Sequence, residues 1–284
     1  MIIWIASYPK SGNTWVRSLL ASYFFSKNGE FNFDHLKHIA QFSPVISNST
    51  LEEKTNYQAK VSKSWIPTQE LINKDKKIHL YKTHNAVCSI NGNFFTNKKN
   101  TIGAIYITRD PRNILTSLSN HYEINNIEAF NFLTNKRKII FPSNVNNYSK
   151  NKEMDFNFLG DWSGHYLSWK NIQFCSIKIV KYEDMINNTK KTFLSILDYL
   201  SKIMKVQYDK DKIDKCIKST DFEKLSSLEV TDGFNESALS TKTKKKIKFF
   251  NLEKKNKWIN LVDKKLVAKI EKHFEKEMNE LGYL

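Results

Sequence analysis

The sequence predicts an α/β fold, a single domain over residues 1–284 with a central parallel sheet flanked by helices and a P-loop-like strand–loop–helix at its start. Three observations predict it. Ile2–Ala6 is an unbroken apolar run, which suits a strand buried on both faces. A loop with Pro9 and Gly12 follows, and apolar residues then recur at 15, 16, 19, 20, 23 and 24, the spacing of a helix over Thr14–Phe25. Further apolar runs alternate with helical patterns, with no internal repeat and no composition shift to mark a second domain.

The remaining elements follow in order. Ile78–Lys82 reads as a short strand and Ile102–Thr108 as a second buried one. Pro111 suits the first position of a helix that runs through Tyr122. Residues 123–155 are polar and Asn-rich, a loop or short helices. Phe158–Ile172 has helical spacing, with Trp162, His165, Tyr166 and Trp169 on one face. Ile177–Tyr182 reads as a strand and Thr189–Met204 as a helix. Residues 227–257, rich in Ser, Thr and Lys, read as a mobile loop. Val262–Leu281 is helical and stops at Gly282.

At 284 residues the chain buries well over half of its unfolded surface, so a core needs no disulfide or metal. Cys88, Cys175 and Cys216 are scattered without metal-ligand spacing and read as reduced core residues. The net charge of +16 comes almost wholly from Lys, in a sequence also rich in Asn and Ile, as AT-rich coding produces. Arg stands only at 17, 109, 112 and 137. The field still favours anionic ligands. No apolar segment approaches the roughly 20 residues of a membrane span, and no basic region precedes the apolar start. A cytoplasmic protein with no membrane span and no nucleic-acid partner is expected; the oligomeric state is not legible.

Ser7-Tyr8-Pro9-Lys10-Ser11-Gly12-Asn13-Thr14-Trp15 lies between strand and helix, where a phosphate finds unpaired N–H groups and a positive dipole end. Gly12 allows close approach, and Ser11 and Thr14 add hydroxyls. A Walker A loop would place Lys directly after this Gly; here Asn13 stands there and Lys10 comes two residues before it. At these residues the chain resembles the PAPS-dependent sulfotransferases, whose loop for the 5'-phosphosulfate of 3'-phosphoadenosine 5'-phosphosulfate (PAPS) reads Tyr-Pro-Lys-Ser-Gly-Thr-Thr-Trp. Asn13 replaces the first Thr.

A second motif follows the strand that ends at Thr108. Arg109 and, eight residues later, Ser117 can meet at one phosphate, and Arg bonds phosphate in bidentate fashion. A local cap or ion pair of Arg109 with Asp110 weighs evenly against it on these residues alone; beside the first motif the phosphate reading prevails. The resemblance implies that Arg109 and Ser117 hold the 3'-phosphate of PAPS, and that Ser117 can pair with Lys10. Lys82-Thr83-His84 ends the short strand on the edge where open α/β sheets bind ligands, and it matches the family's catalytic triplet. His84 is thereby expected to remove the acceptor's proton, Lys10 to stabilise the leaving oxygen, and Lys82 the sulfuryl oxygens. No clustered carboxylates suggest a metal.

Trp15 suits base stacking as well as core packing. The resemblance also implies adenine contacts for Tyr182, in Tyr182-Glu183-Asp184, and for Thr220 and Phe222. One family motif is altered: where relatives carry Arg-Lys-Gly, two residues, Gly, one residue and Trp, this chain has Asn251 through Trp258. Trp258 and Phe249-Phe250 fit; Lys248, Lys254 or Lys255 would have to replace the charge. The acceptor is a small molecule or a glycan, of unspecified class. Trp65, Phe94 and Phe95 could line its pocket, though core packing suits each. The rival readings are a P-loop kinase or nucleotide hydrolase, a non-catalytic polyanion-binding protein, and a PAPS binder without activity.

Overall fold

The computed structural model describes residues 1–45, 57–141, 155–205, 209–240, 242–251 and 256–284, without the side chain of Tyr57. Its sheet has four parallel strands, β1 (Ile2–Ser7), β2 (His79–Thr83), β3 (Thr101–Thr108) and β4 (Ser176–Lys181), ordered β2-β1-β3-β4. The chain steps from β1 to β2 on one side, returns to β3 on the other side of β1, and moves outward to β4. Connections leaving β1 and β3 therefore diverge, and a crevice opens at the carboxyl ends of the strands, where ligands of open α/β sheets bind.

The helices are α1 (Asn13–Phe25), α2 (Tyr57–Ile72), α3 (Pro111–Tyr122), α4 (Asn126–Thr134), α5 (Trp162–Lys170), α6 (Tyr182–Asn187), α7 (Thr189–Met204), α8 (Asp211–Ser219), α9 (Phe222–Thr231), the single turn α10 (Trp258–Leu261) and α11 (Lys264–Leu281). All six residues of β1 are buried. Side-chain alternation sends Ile2, Trp4 and Ala6 into one core, with α2, α3, α5 and α11. Ile3 and Ile5 enter a second core, with α1, α7 and α8. Coverage of both faces is why β1 reads as continuous apolar sequence rather than as alternation.

The four expected strands and the helices α1, α3, α7 and α11 form within two residues of their expected bounds. α3 starts with Asp110 as cap, its Oδ1 accepting the Arg112 N–H at 2.9 Å, and Pro111 first in the helix. α11 ends on Gly282 at φ 70°, where a left-handed residue closes the last turn. Three readings need correction. The helix expected over 158–172 begins only at Trp162, because Asp161 caps it through Gly164 N–H at 2.7 Å and Phe158 pairs with Ile139 instead. Part of 227–257 is helical, since α9 runs to Thr231, and the described loop beyond it is pinned rather than loose. The Glu229 carboxylate accepts the N–H groups of Phe249 (2.6 Å) and Phe250 (2.9 Å) and the Ser237 hydroxyl (2.7 Å). Of the cysteines only Cys216 is fully buried; all three are free thiols. Trp65 and Phe95 pack together in the core at 5.5 Å and Phe94 is exposed, so none of the three faces the crevice.

Candidate active site

The loop after β1 turns sharply. Lys10 and Gly12 both adopt left-handed conformations, at φ 67° and 97°. Gly12 is required twice over, because a Cβ there would meet the Tyr182 ring at 2.4 Å. α1 then begins with no side chain capping it; Trp15 and Val16 N–H donate to Gly12 O, and the N–H groups of Asn13 and Thr14 are left open to a ligand. Asn13 does not reach outward as a ligand-holding side chain. Its amide donates to Ile5 O (2.9 Å) and Ser7 Oγ (3.2 Å), tying the loop back to β1.

The loop opens on a cavity of about 270 Å³. Lys10, Gly12, Asn13, Thr14, Trp15 and Tyr182 line it together with Lys82, His84, Arg109, Ser117 and Phe222. Ser11 lies beneath, its Oγ buried without a partner, as are Trp15 Nε1 and Arg109 Nε. Thr220 stands apart from this wall. Its hydroxyl donates to Cys216 O at 2.7 Å and closes α8, so adenine contact by this side chain is not supported. Arg109 Nη1 donates to Lys10 O (2.9 Å) and its guanidinium lies 4.2 Å over the Tyr182 ring. Arg112 is structural. It bridges Asp110 (2.7 Å), Glu271 (2.5 Å) and the Tyr283 carbonyl (2.7 Å), and lies over Trp258.

His84 is oriented completely. Its Nδ1 is 2.8 Å from the Ser7 carbonyl oxygen, which can only accept, so Nδ1 carries the hydrogen and Nε2 keeps its lone pair. The His84 carbonyl accepts His165 Nε2–H at 3.0 Å, and Tyr106 O–H donates to His165 Nδ1 at 2.9 Å. Burial, helped by the Lys82 charge, lowers His84 to about 3, which keeps the imidazole neutral. Lys10 is pushed down to about 7 by burial and by the Arg109 and Lys82 cations, with its Nζ 3.8 Å over the Phe249 ring. It makes no hydrogen bond to Ser117.

Sequence reasoning missed Glu236. Its carboxylate reaches into the cavity from the loop after α9 and meets Arg17 Nη1 (2.6 Å), Lys82 Nζ (2.8 Å) and Thr14 Oγ1 (3.4 Å). Burial opposes its ionisation, but the Arg17 and Lys82 charges prevail and hold it well below the usual carboxylate range. No local pattern marks it, because its partners lie about 150 to 220 residues away. His121, one turn after Ser117 on α3, also lines the cavity and was missed. Lys257, Asn256 and Asn113 flank a second opening on the other side of Arg109. Of the cations considered for the altered motif, Lys248 is exposed, and Lys254 and Lys255 lie outside the described residues.

A family model described as the sulfotransferase domain matches residues 2–282. The chain belongs to the sulfotransferase family. This sulfotransferase is similar to Sulfotransferase 2A2 of Mus musculus, 25% identical over 222 residues, and to Sulfotransferase 1B1 of Canis lupus familiaris, 24% identical over 222 residues. Each match covers 78% of this chain and, at 65% and 64%, a little under two thirds of the relative's own length. Among solved structures, mouse sulfotransferase SULT7A1 complexed with PAP matches with TM-score 0.59 at 18% identity, covering 98% of this chain and 84% of that one. Retinol dehydratase in complex with androsterone and PAP matches with TM-score 0.59 at 15% identity, covering 98% and 80%. These likenesses establish the fold of the sulfotransferase. No helix among its described residues is long and apolar enough to cross a membrane.

The buried imidazoles give the chain a pH signature. Burial lowers His84 and His121 to about 3 and His165 to about 4, against 6.5 for a free side chain. Between those values the unfolded chain binds more protons, so stability falls as the pH drops below about 6.5. Asp155, raised by burial to about 7, and Glu183, also raised by burial, act in the opposite direction. Three imidazoles against two carboxyls leave about one group, or about 1.4 kcal/mol per pH unit between pH 6 and 5, and Glu236, held well below the usual carboxylate range, adds in the same direction at lower pH. Urea midpoints should therefore fall steeply from pH 7 to pH 5. A flat profile would show that the imidazoles protonate in the folded state.

Proposed function

We propose that the chain is a PAPS-dependent sulfotransferase of the cytoplasm, one catalytic domain over residues 1–284. It transfers a sulfuryl group to an acceptor hydroxyl or amine by in-line displacement, with His84 as general base and no metal. The observation that carries the reading is the His84 tautomer: a neutral imidazole whose bare Nε2 shares one cavity with Lys10, Lys82 and the open start of α1. The fold neighbours described with PAP support the choice of ligand.

The residues present fit such an anion. Ser11 Oγ, Trp15 Nε1 and Arg109 Nε are buried donors without partners, and the first turn of α1 is uncapped. Lys10 through Trp15 would hold the 5'-phosphosulfate, Arg109 and Ser117 the 3'-phosphate, and Tyr182, Phe222 and Trp15 the adenine. When bound, PAPS supplies the sulfuryl group and a phosphate leaving group. His84 takes the acceptor proton at Nε2 while its Nδ1–H stays on Ser7 O. An imidazole held in place this way contributes about 10²–10⁴-fold. Lys10, poised near neutrality, becomes fully charged beside a phosphate, because an opposite charge favours the ammonium. Burial lowers Lys82, and its pairing with Glu236 at 2.8 Å favours the ammonium.

Titration calorimetry with PAP and with ATP, both without metal, tests the reading. Metal-free PAP binding that is tighter than ATP binding is the expected result. ATP preferred, and only with Mg²⁺, would replace it with the kinase reading.

A further inference from the structure

His121 is 7% exposed, and it makes no hydrogen bond to any described residue, although it lines the cavity that holds His84. Its ring is fixed by edge contacts with Tyr122 (4.8 Å) and Phe249 (6.0 Å). Burial and the Lys10 and Lys82 charges keep it neutral. A neutral imidazole offers one donor and one acceptor, the complement of a hydroxyl.

Other polar groups on the same wall are left half-used. Asn157 Oδ1 accepts from His84 N–H (3.2 Å) and from the Gln41 amide (3.3 Å), but Asn157 Nδ2 and Gln41 Oε1 bond to no described residue. Asn120 Oδ1 takes the Asn251 amide at 2.9 Å, which leaves Asn120 Nδ2 in the same position. Tyr122 and Phe141 line the same cavity. A wholly apolar acceptor would cover these cavity-lining donors and acceptors and leave them unpaired, which is costly. A molecule with several hydroxyls and a C–H face would satisfy both.

We infer that the acceptor is a polyhydroxylated molecule of the carbohydrate class, with His121, Gln41 and Asn157 binding hydroxyls other than the one that reacts at His84. This rests on the sulfuryl-transfer reading. His121 is thereby a specificity residue: a site built to hydrogen-bond a hydroxyl discriminates strongly against an analogue that lacks it.

Octyl β-D-glucopyranoside and 1-octanol share a tail and differ in the sugar. PAP release with each at saturating PAPS gives the two kcat/KM values. The glucoside is expected to lead by roughly tenfold or more. In His121→Phe that lead should collapse through a raised KM for the glucoside with kcat largely kept, whereas His121→Gln, which retains a polar group, should keep part of it. Gln41→Met gives the same readout should the His121 variants fail to fold. Octanol turned over as well as the glucoside, a lead unchanged in the variants, or turnover of neither by protein that binds PAP would overturn the carbohydrate assignment. Protein that binds no PAP would overturn the sulfuryl-transfer reading instead.

Discussion

His84→Ala is expected to lower kcat by about 10²–10⁴-fold while PAP affinity stays within about threefold. The two effects separate because the imidazole is anchored by protein rather than by nucleotide. Its Nδ1–H is on Ser7 O at 2.8 Å, its backbone N–H is on Asn157 Oδ1 at 3.2 Å, and its carbonyl is on His165. Removing the ring takes away the proton acceptor and the bond to Ser7 O, and leaves Asn157 and His165 with the main chain. With the imidazole lowered to about 3, the wild-type rate should not show an acid limb near 6.5. Steady-state rates from pH 5.5 to 8.5 beside calorimetry on the variant check both points. A variant retaining a tenth of the wild-type kcat would move the base elsewhere in the cavity.

Arg109→Ala is expected to weaken PAP binding on the order of 100-fold or more, since hydrogen bonds from charged donors contribute about 1.5–3 kcal/mol each and this guanidinium can offer two to one phosphate. Arg109 is already partly committed. Nη1 holds the Lys10 carbonyl at the left-handed turn, and Tyr182 supports the flat face. The remaining donor edge, including the buried Nε, is the part free for a ligand. Comparing PAP with adenosine 5'-monophosphate separates the two duties. Loss confined to PAP assigns Arg109 to the 3'-phosphate; equal loss for both nucleotides would make it only a brace for the loop.

The parts legible in the sequence were those set by local physics. β1 was visible because both its faces are covered, α3 because Pro111 suits a first helical position, and α11 because Gly282 ends it. α2 was not visible, since Pro67 lies inside it and proline ordinarily breaks a helix. The site divided in the same way. The loop at Lys10–Thr14, His84 and Arg109 sit at strand ends and could be named from their position there. Asn13 and Thr220 were named from the family pattern, yet Asn13's amide turns back to β1 and Thr220's hydroxyl bonds the preceding turn of α8. Glu236 and His121 gain their meaning only from residues far along the chain, so composition and spacing could not reveal them.

Glu236 makes cofactor affinity and loop freedom two readings of one equilibrium. Thr14 and Lys82 can be saturated by this carboxylate or by an incoming anion, and not by both at full strength. An anion that takes those donors weakens the tie that holds Glu236's loop, which also bears Phe249 over Lys10. Coupling of this kind is reciprocal: whatever factor ligand entry lends to the loop's release, a change that frees the loop lends to ligand affinity. A carboxylate more than 100 residues along the chain from the phosphate motifs, yet bonded to Thr14 and Lys82, thereby sets the rest state against which any ligand anion must compete.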